Sequence, residues 1–334
     1  MTKKIVALAG DGIGPEIMEA GLEVLASIAK KTDFDIEIVK QPFGGAGIDA
    51  EGHPLPEATL KASREADAIL LAAIGSPQYD DALVRPEQGL LALRKELNLY
   101  ANIRPVKTFE SLNHLSPLKP DRIAGVDFVV VRELTGGIYF GDHILEERKA
   151  RDINDYSYEE VERIVRKAFE IARSRRKILT SIDKQNVLAT SKLWRRVADE
   201  VAQDFPDVTL EHQLVDSAAM LMITNPAKFD VIVTENLFGD ILSDESSVLS
   251  GTLGVMPSAS HSENGPSLYE PIHGSAPDIA GLGIANPISM ILSVAMMLRD
   301  SFGRYEDAKR IEDAVEQTLA AGILTRDLGG QAST

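Results

Sequence analysis

The chain has 334 residues, 44% hydrophobic and 26% charged, with a formal net charge of −16 and no cysteine. This length exceeds the roughly 250–300 residues at which a single core stops growing, so two domains are expected, and the composition excludes disordered and fibrous classes. Without cysteine there is no disulfide-stapled secreted scaffold, and an acidic body makes a poor nucleic-acid surface, because phosphate binding rests on Lys and Arg.

The basic start runs directly into an apolar segment with no signal-peptide pattern, and the longest apolar run, residues 68–74, is far below the ~20 residues of a membrane span; a cytoplasmic protein without membrane contact is expected. Residues 5–8, IVAL, read as a strand and lead into AGDGIGPE. A dinucleotide fingerprint G-x-G-x-x-G places its third glycine at the sixth position, whereas here Gly14 comes one residue early and Pro15 stands sixth. The spacing departs from the fingerprint and leaves open whether this turn or another loop holds a cofactor.

Further Ile/Val/Leu-rich runs at 68–74, 128–131, 178–182, 209–215 and 231–234 alternate with amphipathic segments, the pattern of buried parallel strands between helices. An α/β fold of mostly parallel sheets flanked by helices follows. Ligands in such folds bind beyond the carboxyl ends of the strands, and those ends carry Asp11, Arg132 with Glu133, Asp183 with Lys184, Asp216, and Glu235 with Asn236. Any one of these is either a solvated loop charge or part of a site. Ser157 and Glu160 form a capping box ahead of an apolar stripe from Val161 to Ala172, a helix whose basic end, RSRRK, complements its dipole. Residues 306–321 read as another helix.

The side chains with chemistry lie between these elements. Asp240 and Asp244 are four apart and share one helical face, which is favourable when a cation or a helix N-terminus stands nearby; Mg²⁺ or Mn²⁺ suits such oxygen ligands, with Asp216 as a third carboxylate. The alternative is an exposed acidic helix start. Arg94, Arg104 and Arg132 offer bidentate forks for a di- or tricarboxylic acid, though Arg94 in the run RKE is equally a surface ion-pair residue. Tyr139, in a glycine-framed turn, is either a proton donor or a packed aromatic, and Lys184, just after a strand, is either a base or a solvated lysine. The loop from Glu270 to Gly281, with His273, Gly274, Ser275, Ala276, Pro277, Asp278 and Ile279, is either a plain Gly/Pro-rich loop or an adenosine site, in which His273 can stack on adenine, backbone amides can meet phosphates and Asp278 can accept from a ribose 2′-hydroxyl.

Taken together, GDGIGPE, LYANIRPVK, RELTGGIYFG, DKQNVL, NLFGDILSD and YEPIHGSAPDIAGLGIANP cover nearly the whole chain and resemble the β-decarboxylating dehydrogenases of the isocitrate/isopropylmalate dehydrogenase family. The resemblance implies the two-domain isopropylmalate-dehydrogenase-like fold. Residues 1–99 and 252–334 would form a discontinuous cofactor-side domain, and residues 100–251 a domain with the substrate and metal side and the dimer interface. It implies a homodimer whose active site is shared, with Lys184 and Asp216 reaching across; NAD, favoured because Asp278 and Ile279 stand where NADP users carry lysine and tyrosine; Asn286 as a second adenine contact; and Glu87 near the nicotinamide. Asp216, Asp240 and Asp244 would hold the metal, Lys184 would act as base and Tyr139 as acid. Leu90, Leu91 and Val187 would make an apolar wall suited to an isopropyl substituent, a preference worth about 1–3 kcal/mol.

Homoisocitrate, isocitrate or tartrate dehydrogenases use the same scaffold. A non-catalytic regulatory relative would be expected to lose acid–base or metal groups, all of which this chain keeps. Departures from the pattern are Leu282 in place of a lysine, a highly charged arm at residues 142–156, and a sequence that reaches Thr334 where relatives run into a final helix, from which weaker packing of the first domain is expected.

Overall fold

The computed structural model describes residues 2–334. In chain order its strands are β1 (Lys3–Gly10), β2 (Ile36–Lys40), β3 (Ala68–Ala73), β4 (Leu99–Lys107), β5 (Asp127–Glu133), β6 (His143–Leu145), β7 (Ala150–Asp152), β8 (Ile178–Asp183), β9 (Thr209–Leu214), β10 (Val231–Thr234), β11 (Pro257–Ser262) and β12 (Ser267–Pro271). The chain divides into two compact units, residues 1–99 with 252–334, and residues 100–251.

In the first unit the strands lie in the order β2-β1-β3-β12-β11. All neighbours are parallel except β11 and β12. Every residue of β3, AILLAA, is buried, as expected of a central strand covered on both faces. The helix Gly14–Lys31 packs on β1 and β3, while the nearly all-apolar helix Ile288–Asp300 packs on β11 and β12 and against the helix Tyr305–Ala320. Ser289 and Ser293 are tolerated inside this core because their hydroxyls donate to the carbonyls of Met256 and Ser289.

The turn AGDGIGPE is shaped by close approach. Gly12 has φ +56°, and a Cβ there would sit 2.0 Å from the carbonyl oxygen of Ser275, which accepts from Ile13 N at 2.8 Å. Glu16, in the first turn of the helix, accepts from the backbone N–H groups of Gly281 and Ala285. The Ile13 amide is thus taken by the Ser275 carbonyl, and Glu16 ties the first turn of the helix to the segment Gly281–Ala285.

In the second unit the order is β4-β5-β10-β8-β9, with β4 antiparallel to β5 and the rest parallel; β6 and β7 form a separate exposed hairpin. The register aligns Arg132 with Thr234 and Thr234 with Ile182, so Glu133, Glu235 and Asp183 leave the sheet at one level. The helix Tyr158–Arg173 carries the capping box at Ser157 and Glu160 and buries the stripe Val161, Ile164, Val165, Ala168, Phe169 and Ala172. Its basic end is matched by acids: Arg173 pairs with Asp207, Arg175 with Asp127 and Asp230.

The six strands expected from apolar runs all form, with one shift: β9 ends at Leu214, and Val215 opens the helix Val215–Thr224, so Asp216 lies in a first helical turn and not at a strand end. The strands without an expectation are those whose apolar pattern is broken. β2 carries Glu37 and Lys40 at an edge, β4 carries Asn102, Arg104 and Pro105, and β11 is PSASHS.

Candidate active site

The candidate side chains fall into two sets, one in each unit. In the second unit the helix Asn236–Ser250 begins immediately after β10 and is capped by Glu235, whose carboxylate accepts from Phe238 N. Asp240 and Asp244 follow one turn apart on this helix. Asp240 takes the guanidinium of Arg132 on Oδ1 and the hydroxyl of Tyr139 on Oδ2 at 2.7 Å. Asp244 Oδ1 accepts from Arg104 NH1 at 3.0 Å, and the same nitrogen reaches Ser243 Oγ at 2.7 Å. The two arginines therefore satisfy the cation requirement of the paired carboxylates.

Gly239 makes the approach possible, since a Cβ there would lie 2.6 Å from Arg132 Cγ. The Arg132 guanidinium also stands 5.7 Å from the centre of the Tyr139 ring. Burial, and then the hydrogen bond and charge of Asp240, push the Tyr139 phenol above its ordinary range against the opposing effect of Arg132, which keeps it protonated and able to donate.

Lys184 and Asp216 form a second group in this unit, Nζ to Oδ1 at 2.9 Å, and the lysine holds the Asp216 carboxyl below the usual range. Lys184 is placed by its own backbone N–H donating to Ser191 Oγ at 3.0 Å, and Val187 is exposed beside it. Among the described residues of one chain, no three His, Cys, Asp or Glu side chains gather into a metal-binding group, so Asp216 does not join Asp240 and Asp244 within the same chain.

Not every charged strand end is open to chemistry. Glu133 is fully buried and accepts from Thr135 N and Oγ1 and from Gly136 N. Asp183 is buried between Arg195 and Gln185 N, and Asp11 accepts from the amides of Gly45, Ala46 and Gly75. These acids fix loops.

In the first unit the helix Pro86–Glu96 spaces Glu87, Leu90, Leu91 and Arg94 along one side. Arg94 NH2 donates to the buried Glu270 at 3.0 Å, while its neighbour Glu96 pairs with Arg64; Arg94 Nε is buried without a partner. The surface-ion-pair alternative for Arg94 thus gives way to a link with β12. The two leucines part company: Leu90 packs against the core cluster around Val6 and Leu8, and Leu91 is exposed.

The loop after β12 holds His273 with Nδ1 donating to Gly274 O at 2.9 Å and Nε2 buried without a partner. Ser275 Oγ donates to Gly75 O, Ala276 adopts a left-handed φ of +38°, and Pro277–Ile279 form a single short turn that leaves Asp278 exposed. Asn286 is buried, its Nδ2 donating to Asp327 and its Oδ1 accepting from Ile288 N. Glu270, Asn236, Ser243 and Asn102 carry no sequence expectation as supporting groups, although each lies in or beside a motif.

Burial pushes the His273 imidazole below its ordinary value of 6.5, so the folded ring is neutral at neutral pH. As pH falls, the unfolded chain takes this proton first, so the contribution to stability is complete above about pH 6.5 and is lost as pH drops toward the folded value. Thermal unfolding from pH 7.5 to 5 should show a steeper acid-side fall in Tm for the native protein than for His273→Gln. Parallel curves would remove His273 as the cause.

A family profile described as isocitrate/isopropylmalate dehydrogenase matches residues 4–334. The chain belongs to this family, the one its motifs resemble, and it is an oxidoreductase. It is 87% identical to a 3-isopropylmalate dehydrogenase of Streptococcus pneumoniae strain R6 over all of this chain and 97% of the relative, and 68% identical to one of Lactococcus lactis over all of this chain and 96% of that relative. Among solved structures, an isocitrate dehydrogenase from Methylococcus capsulatus superposes with a TM-score of 0.86 at 36% identity, covering 99% of this chain and 95% of that one. A β-decarboxylating dehydrogenase from Thermococcus kodakarensis gives 0.86 at 38% identity, covering 100% and 93%.

Proposed function

We propose that the protein catalyses the metal-dependent, NAD-linked oxidative decarboxylation of (2R,3S)-3-isopropylmalate to 4-methyl-2-oxopentanoate and CO₂, a step of leucine biosynthesis. The observation that carries the proposal is the convergence of Arg104, Arg132 and Tyr139 on Asp240 and Asp244 along one helix face. The names of the relatives at 87% and 68% identity point to the same substrate.

The residues fit the groups the family implies. Asp240 and Asp244 are an all-oxygen donor set of the kind Mg²⁺ or Mn²⁺ takes, and Asp216 would complete it from a second copy of the chain. Two features support this sharing. Asp216 and Lys184 stand apart from the other carboxylates within one chain, and Met220, Ile241 and Val248 leave exposed apolar surface on the two helices concerned. The unpartnered Nε2 of His273 is a ready contact for an adenine ring, with Asn286 as a second contact, and the exposed Asp278 accepts a ribose hydroxyl but repels a 2′-phosphate, which favours NAD.

When bound, the divalent ion supplies Lewis acidity and NAD⁺ a hydride acceptor. The chain's own groups do the rest. Arg94, Arg104 and Arg132 bind the two carboxylates and set the orientation of the acid. Lys184 takes the proton of the C2 hydroxyl as the hydride leaves that carbon, and Tyr139, still protonated, delivers a proton to C3 after CO₂ departs. Glu87 would lie near the nicotinamide. Leu91 on the helix Pro86–Glu96, with Leu90 and Val187, would offer the isopropyl group an apolar contact, and a third carboxylate buried unpaired there would cost more than that contact supplies. The first unit is accordingly the cofactor side and the second the substrate, metal and dimer side, in the cytoplasm.

Steady-state turnover of isopropylmalate, isocitrate, homoisocitrate and tartrate, each with NAD⁺ and with NADP⁺, tests this reading. The highest kcat/KM is expected for isopropylmalate with NAD⁺. A preference for isocitrate would overturn the assignment of the leucines, and a preference for NADP⁺ that of Asp278.

A further inference from the structure

Arg132 is held from behind by a buried polar chain that plays no part in the acid–base chemistry. Asn236 Oδ1 accepts from Arg132 Nε at 3.0 Å and NH2 at 2.8 Å, and its Nδ2 donates to Gly136 O at 3.1 Å. Its backbone N–H, one of the groups a helix start leaves without an intrahelical acceptor, donates to the Tyr156 hydroxyl at 3.0 Å. Tyr156 donates in turn to Glu133 Oε2 at 3.2 Å, and the same carboxylate accepts from Thr135 and Gly136. Glu133, Tyr156 and Asn236 are all buried.

The same tyrosine is the floor of the turn that carries Tyr139. Gly137 has φ +76°, and a Cβ there would lie 2.6 Å from the Tyr156 hydroxyl; one at Gly136 would lie 2.7 Å from its ring. The ring also meets Trp194 edge-on at 5.9 Å between centres, which fixes it from the other side. A guanidinium is a planar fork, so anchoring Nε and NH2 on one oxygen and NH1 on Asp240 sets its plane. Asn236 does so as a neutral amide, adding no second negative charge beside the Arg132–Asp240 ion pair.

We propose that Asn236 is a positioning residue for Arg132, itself set by the buried Tyr156–Glu133 pair, so that the arginine, the Tyr139 turn and the aspartate-bearing helix are registered by one polar core. The proposal rests on the assignment of Arg132 to the acid substrate. Its consequence is specific: loosening Asn236 weakens recognition of the acid and leaves recognition of NAD⁺ intact.

The test uses Asn236→Ser and Tyr156→Phe in the full-length protein, assayed with whichever acid the native enzyme oxidises best. Asn236→Ser should raise KM for the acid about 10–100-fold, with a smaller fall in kcat and KM for NAD⁺ within about twofold; Tyr156→Phe should repeat the pattern at about 3–10-fold. Equal rises in both KM values would identify a general structural defect and overturn the proposal. Hydrogen exchange of the Arg132 Nε–H, followed by NMR without substrate, should be slow in the native protein and faster in both variants. That readout stands even where isopropylmalate proves to be the wrong acid, and it falls to Tyr156→Phe alone where Asn236→Ser does not fold. Unchanged exchange and unchanged acid KM in a folded variant would sink the idea.

Discussion

Lys184→Ala is expected to lower kcat by about 10³-fold, within the 10²–10⁴ range of a positioned general base, with KM for the acid and for NAD⁺ within a few fold of native. The reason is local. Lys184 Nζ is 2.9 Å from Asp216, and the lysine backbone is anchored independently by Ser191 Oγ, while Asp183 is tied to Arg195. Truncating the side chain therefore removes the proposed base without disturbing the turn, and Tm should change little. Lys184→Arg should be nearly as inactive, because a guanidinium keeps its proton at any working pH. Stopped assays over several hours with both variants would check this; native-like kcat in Lys184→Ala would remove the lysine from the chemistry.

Asp240→Asn is the second large effect, with kcat/KM falling by about 10³-fold and the Mg²⁺ or Mn²⁺ concentration for half-maximal rate rising well above native. Asp240 touches both Arg132 and Tyr139, so its neutralisation would take the charge from a proposed metal ligand, break the ion pair and weaken the acceptor of the Tyr139 hydroxyl in one change. It also carries a spectroscopic sign. Burial contributes most to the raised Tyr139 value, but Asp240 contributes next, by hydrogen bond and by charge. The phenol should therefore ionise at lower pH in Asp240→Asn than in the native protein, visible as earlier phenolate absorbance in an alkaline titration with Tyr139→Phe as the blank. Activity within tenfold of native at every metal concentration would rule out Asp240 as a ligand.

Most of the scaffold could be read before folding, because strands buried on both faces must be continuous apolar runs. AILLAA and VIVT are recognisable wherever they occur. β4 and β11 escaped notice for the complementary reason: their polar residues are satisfied by partners far along the chain, as Arg104 is by Ser243 and Asp244, and a linear pattern does not display partners. The charged strand ends show the same division. Glu133 and Asp183 look no different in the sequence from Arg132, Lys184 and Asp216, yet these two are consumed by nearby amides and an arginine, while Glu235 caps a helix through one oxygen. Tyr156 gave no signal at all, since its role depends on two glycines and a helix start brought to it from elsewhere.

The order of elements, the helical spacing of Asp240 and Asp244, the capping box at Ser157 and the family motifs were determined by local sequence, since each depends only on residues within one or two turns of one another. Which carboxylate meets which arginine of the second unit, and which of Leu90 and Leu91 stays open, were decided by tertiary structure. The pairs Arg132–Asp240 and Arg104–Asp244 each join segments more than a hundred residues apart, and the absence of a side chain at Gly239 lets the first of them close.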